Sequence, residues 1–271
     1  MKMQILAVLL AVVAVRISTA ADESSSLARF EEEARAYEIQ IGDKSPSQLK
    51  LQPKSVLNWI NPAENGEDGA VFLWLQHGRP EVIGTFFTYR RAATGEEIFK
   101  HSLHSLSSLP ITADFAERRV WSPKTAGVSF QPIPEAPPPA ESSRPRLLQM
   151  KSLAKDFSGK IVDLRENAKS LRLLPQPLVR YEPTAGECVD GAIFALAEGT
   201  DPQALVLIEA RRAEGAAPTW QFSFARFHFV HLWGYHKEKE VWHVEADASQ
   251  TKSPLGDPSQ AGKIYISLQK K

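Results

Sequence analysis

The segment DGAVFLWLQHGRP, Asp68 to Pro80, is followed 122 residues later by DGAIFALAEGTDP, Asp190 to Pro202. Each reads as an Asp-Gly opening, an apolar strand and a Pro-bearing turn, so the chain must place one kind of strand twice. On a strand, GAVFLWLQ puts Val71, Leu73 and Leu75 on one face and Phe72, Trp74 and Gln76 on the other. A sheet wetted on one side alternates apolar with polar. A strand apolar on both faces therefore demands cover on both.

The register extends outward. LKLQPKSVLNW (Leu49 to Trp59) lies over LRLLPQPLVRY (Leu171 to Tyr181), and Arg90 falls on Arg212. Upstream, once short insertions shift the offset to 120, Leu27, Phe30, Ala34 and Tyr37 pair with Leu147, Met150, Ala154 and Phe157 in a helix-like stripe. Short polar turns between apolar runs imply antiparallel neighbours. The expected fold is α+β with an internal duplication: each copy is one amphipathic helix plus an antiparallel β-meander, and the copies pack about a pseudo-twofold axis.

The expected organisation is a signal peptide over residues 1–20, a first repeat over 21–122, a Pro-rich linker over 123–146, a second repeat over 147–248, and a tail over 249–271 with a final strand. The signal peptide is read from Lys2, the apolar run Ile5 to Val15 and small residues at Ser18 to Ala20, with cleavage after Ala20 or Ala21. That run is too short to span a bilayer, so no membrane insertion is expected after cleavage. The protein is expected to be exported, periplasmic or extracellular. Losing Lys2 and Arg16 leaves 30 basic against 32 acidic residues, which does not favour nucleic acid.

Cys188 is the only cysteine, so a disulfide could form only with another chain. The chain carries no G-x-S-x-G, S-x-x-K or H-E-x-x-H signature. HSLH (His101, His104) and HFVH (His228, His231) sit in strand-like segments, where i and i+3 point to opposite faces, so neither pair chelates alone. No cofactor and no metal are expected from these patterns. The copies differ where Phe87 and Tyr89 stand against Glu209 and Arg211. Glu209, Arg211, Arg226, His228 and His231 are therefore the ligand-binding candidates, and no catalytic residue is assigned. WQFSFARFHF, with Trp220, Phe222 and Phe224 on one face, reads as core before it reads as a stacking platform.

The order WINP, GAVFLW, GRPE, HSLSSLP, RLLQMKSLAKDFS, LRLLPQPLVRYE, DGAIFALAEGTDP and LIEAR resembles a family of secreted proteins of planctomycete bacteria. The resemblance implies export and a globular body, and carries over no activity. The leading expectation is a non-enzymatic binding or interaction protein with a protein or glycan ligand. Its rivals are an exported hydrolase of sugar or ester substrates and a structural part of a cell-envelope assembly. A homodimer would be one way to cover the second face of the apolar strand.

Overall fold

A computed structural model describes residues 20–61, 67–91, 94–199, 201–247, 259 and 262–267. The expected signal peptide lies outside these except for Ala20, and most of the tail lies outside them as well. The chain opens with α1 (Ala20–Arg35), which carries an i,i+4 ion pair of Glu31 with Arg35 at 2.9 Å. There follow β1 (Tyr37–Ile41), β2 (Ser47–Gln48), β3 (Lys50–Leu51), β4 (Leu57–Asn61), β5 (Glu67–Gln76), β6 (Arg79–Arg90), β7 (Glu97–Ser105), β8 (Ile111–Phe115) and β9 (Arg118–Trp121). The second half holds β10 (Gln131–Pro132), α2 (Ser143–Ala154), β11 (Phe157–Val162), β12 (Ala168–Leu173), β13 (Val179–Tyr181), β14 (Cys188–Glu198), β15 (Asp201–Arg211), β16 (Thr219–Arg226), β17 (His231–His236) and β18 (Lys239–Val244). A last strand, β19 (Gly262–Ser267), returns to pair with β7 of the first half.

The expected α+β duplication, with one amphipathic helix and an antiparallel meander in each copy packed about a pseudo-twofold axis, is overturned. The protein is mainly β, with 52% of residues in strands and 10% in the two helices found among the described residues, and with large antiparallel sheets and a half-barrel. Two physical reasons account for the difference. The helices are shorter than the apolar stripe predicts: Tyr37 and Phe157 do not end helices but begin β1 and β11, whose inward residues alternate. What remains of the α2 stripe is Arg146, Met150 and Ala154, one cation and two modest apolar groups. The strands also do not form simple meanders. β8 leaves β7 to pair with β1, and β17 leaves β16 to pair with β11.

A close contact accompanies that second departure. A Cβ on Gly234 of β17 would lie 2.5 Å from the Phe224 ring of β16, so that ring packs directly on the Gly234 backbone. The second sheet thus curls in the order β10-β16-β15-β14-β12-β11-β17-β18, with β13 beside β14. Its concave face is filled by Phe157, Phe194, Val206, Trp220, Phe222, Phe224 and Leu232, closed by Met150 and Ala154 of α2. In the first half, α1 and the small sheet β2-β1-β8-β9 cover the Phe72, Trp74, Phe86 and Leu103 face of the sheet β19-β7-β6-β5-β3.

The Pro-rich segment expected as a spacer is laid against the second sheet. Gln131 and Pro132 pair with Phe222 and Gln221, the Ser129 amide donates to Ser223 Oγ at 2.9 Å, and Val128 and Ile133 are buried. Helix α2 then starts inside that segment, with Pro145 tolerated in its first turn.

Two-residue hairpin turns escape the usual sequence cues. Ala116 and Glu117 join β8 to β9 with φ 49° and 61°, and Lys237 and Glu238 join β17 to β18 with φ 48° and 66°. Positive φ at both positions is the signature of a type I′ turn, which favours Asn-Gly. Replacing Ala116-Glu117 by Asn-Gly is expected to raise stability by about 1 kcal/mol, because left-handed backbone costs an ordinary L-residue roughly that much. Urea unfolding of the two chains measures it.

Candidate functional site

The two large sheets meet through a third core. Val71 and Leu73 of β5 and Ile83 of β6 face Ile193 and Ala195 of β14 and Leu205 and Leu207 of β15. Both faces of β5 are therefore buried, one in this core and one beneath the small sheet. Alternation carries Thr85 and Phe87 into the junction after Ile83, and Glu209 and Arg211 after Leu207, while Arg79, Glu81 and Asp201 reach it at or beyond the β-bulges at Glu81 and Gln203. The apolar residues sit in the middle of the junction. Its two ends carry the polar groups.

One end is a buried lattice of charge. Glu209 is fully buried and accepts from Arg79 Nε at 2.9 Å, Tyr181 Oη at 2.7 Å and Arg211 Nη1 at 2.6 Å. Arg79 also reaches Glu81 at 2.8 Å and donates to the Pro80 and Leu106 carbonyls at 3.2 Å each. Arg211 continues to Glu187 at 2.8 Å, with Phe130 4.3 Å from its guanidinium carbon. Burial disfavours the Arg79 charge, but Glu209 and Glu81 outweigh it and raise its pKa. Burial and the neighbouring Glu209 push the Tyr181 phenol well above its ordinary range. Cys188 is buried here too, and burial followed by Glu209 pushes its thiol upward. A reactive thiol needs the opposite shift.

A second buried carboxylate anchors α2. Asp190, the Asp of the second Asp-Gly, is fully buried between Arg146 Nε at 2.6 Å and Arg180 Nη2 at 2.6 Å. Arg146 and Arg180 also hold the chain ahead of α2 and its start, through the Glu141 and Ser143 carbonyls at 2.7 Å each.

The other end of the junction opens as a cleft of about 260 Å³. Trp59, Val71, Thr85, Phe87, Lys100 and Ser102 line it from the first sheet. From the second half come Asp201, Pro202, Phe227, His228 and Phe229. The Thr85 hydroxyl is buried and has no hydrogen-bond partner among the described residues. Ser102 Oγ lies 2.6 Å from Nε2 of the buried His104. Burial, then Arg226 and His228, pulls the His104 pKa down to about 3. His228 stacks on Phe229 with ring centroids 4.4 Å apart, and burial, then Arg226 and Lys100, lowers its pKa to about 4. Lys100 Nζ is 4.7 Å from the Tyr89 ring centroid.

A wider groove of about 470 Å³ runs between residues 125–131 and the inner side of β16 and β18, past Arg226, Trp242 and Val244. Arg226 spends its donors on backbone, giving Nε to the His228 carbonyl at 2.9 Å and Nη2 to those of Val230 and Glu245 at 3.4 Å each.

The five sequence candidates thus fall in three places. Glu209 and Arg211 meet in the buried lattice. Arg226 and His228 are adjacent but open onto different cavities. His231 stands on the outer face of β17, with Nδ1 2.9 Å from Glu245. Sequence reasoning missed Arg79 and Tyr181, whose partner Glu209 lies far along the chain, and Glu81, which pairs with Arg79, and it missed Thr85 and Ser102, ordinary strand residues in isolation. The one cue was the 122-residue register, in which Arg79 falls on Asp201 and Phe87 on Glu209. No protein-family model, curated protein or solved structure matches the chain.

Proposed function

We propose that the protein is an exported, non-enzymatic binding protein whose site is the cleft at the open end of the inter-sheet junction. The observation that carries this reading is the buried Thr85 hydroxyl, which lacks a partner among the described residues in a cleft walled by Trp59, Phe87, Phe227 and Phe229. Leaving a buried polar group unpaired costs about 1–3 kcal/mol, and a ligand that bonds it recovers that cost. Aromatic walls with a few donors are the usual form of a small-molecule site, and such sites favour the seams between packed units. The ligand that fits is a small ring-bearing molecule with acceptor groups for Thr85 and Lys100, such as the terminal sugar of a glycan or an aromatic acid.

Fluorescence titration of Trp59 against monosaccharides and aromatic carboxylates tests this. Binding should be saturable in the parent, weakened roughly tenfold or more in Thr85→Val and Phe87→Ala, and intact in variants of the outer face. Failure of both panels to bind at any concentration would overturn the reading.

The hydrolase reading draws on one contact, Ser102 Oγ to His104 Nε2 at 2.6 Å. A serine nucleophile needs its histidine to accept a proton near neutral pH and a third group to orient it. His104 is pushed down to about 3, and its Nδ1 has no hydrogen-bond partner among the described residues. A fluorophosphonate probe is therefore expected to leave Ser102 unlabelled at pH 7, as read by intact mass against Ser102→Ala. Stoichiometric labelling of Ser102 would reverse the choice.

A further inference from the structure

We propose that His231, His243 and Glu245 form a binding site for Zn2+ on the outer face of the β17–β18 hairpin. It lies apart from the inter-sheet cleft and does not depend on the binding role assigned there. The hairpin creates the site. Its turn at Lys237-Glu238 sets a register in which Leu232 pairs with Val244 and Trp233 with His243, which brings His231 opposite Glu245. Alternation then divides the hairpin. Leu232, Trp242 and Val244 pack into the core of the second sheet, and His231, Trp233, His243 and Glu245 lie on its other side.

The donor atoms already converge. His231 Nδ1 is 2.9 Å from one Glu245 oxygen, His243 Nε2 is 3.4 Å from the other, and all three ligand atoms lie within 4.8 Å of one another. A tetrahedral zinc with bonds of about 2 Å holds its donors about 3.3 Å apart, so side-chain adjustment alone completes the set. Two imidazoles and a carboxylate suit zinc, whereas calcium and magnesium ask for oxygen ligands. Three protein ligands leave the fourth position to water or to a donor from another molecule.

A second feature marks these side chains as held in place. The Trp233 indole stacks on His243 with centroids 4.5 Å apart and planes 9° from parallel, and on His231 at 5.9 Å and 25°. Lys160 of the neighbouring β11 caps the same indole, its ammonium 4.1 Å from the centroid. Both imidazoles thus rest against one fixed ring, while Glu245, which is 73% exposed, is the ligand a metal must order. Two features oppose the ion: the Lys160 charge, and the Ala246 amide, which donates to His231 Nδ1 at 3.3 Å and must give up that lone pair. They set the affinity below that of a closed four-ligand site without blocking it.

Isothermal titration of the full chain with zinc chloride, and separately with magnesium chloride, is the test. One zinc per chain is expected, with no magnesium binding, and zinc affinity should fall as pH drops through the imidazole range because bound histidine must be neutral. His243→Gln and Glu245→Gln should each weaken zinc by at least the roughly 10- to 100-fold that loss of an outer-shell partner costs. Circular dichroism should stay unchanged, since both side chains stand outside the core. Cobalt gives an independent readout, with the visible bands of a tetrahedral ion in the parent and their loss in the variants. The proposal is overturned if the parent takes up no zinc, or if the His231→Gln/His243→Gln double variant binds zinc as tightly as the parent.

Discussion

Replacing Glu209 by alanine is expected to destabilise the protein by about 3–5 kcal/mol, the cost of breaking a buried ion pair by removing one partner. The side chain is fully buried and accepts from Arg79, Arg211 and Tyr181 at once. Its loss leaves Arg79, which is 12% exposed, facing only Glu81 and carbonyls. Because Arg79 belongs to the first sheet and Glu209 to the second, the damage falls on the junction between them. Glu209→Gln, which keeps an acceptor and loses the charge, should cost less than alanine. Urea unfolding followed by circular dichroism measures both. An alanine variant within 1 kcal/mol of the parent would show that the lattice positions the sheets without stabilising them.

Lowering the pH from 7 to 5 should cost a comparable amount. His101 is fully buried, takes the Tyr37 hydroxyl at Nδ1 at 3.0 Å, and touches the rings of Phe86, Phe99 and Phe115. Burial, then Arg29, pulls its pKa to about 3, and His104 is pulled to about 3 from the other face of the same strand. Both values lie below the 6.5 of an unfolded histidine, so between pH 6.5 and 3 the unfolded chain binds more protons than the folded one. Stability therefore falls as pH falls through that window. At pH 5 each histidine contributes a loss of about 2 kcal/mol, about 4 kcal/mol together. His228, lowered to about 4, acts in the same direction, while Glu81, raised by burial, opposes it. The urea midpoint at the two pH values reads the effect, and His101→Gln should remove close to half of it. A midpoint that does not move between pH 7 and 5 would sink this account.

The candidate site was partly legible. Glu209 and Arg211 could be placed on one face with Leu205 and Leu207 because period-2 alternation is a local property. Arg79 could not be joined to them, because the distance between residues 79 and 209 is set by how two sheets stack. His101 and His104 divide as alternation requires, His101 facing the Tyr37 core and His104 the inter-sheet junction, whereas His228 lies in the bend at residues 227–230 and His231 begins β17, so no single strand carries the second pair. The cluster of His231, His243 and Glu245 stayed hidden for a different reason. Its register depends on a turn built from Lys237 and Glu238, which carry no Asn-Gly signal.

By itself the sequence determined that β5 must be covered on both faces, where its principal strands run, and that residues 82–90 and 204–211 present alternate side chains to whatever covers them. These are one-dimensional facts, fixed by polarity and the pleat. Only the tertiary structure decided that β17 would leave β16 for β11, that the proline-rich segment would lie on a sheet edge, and that Arg79 would meet Glu209. Each depends on close approach between segments distant in the chain, as where Gly234 passes the Phe224 ring, and no local pattern encodes which distant partner arrives.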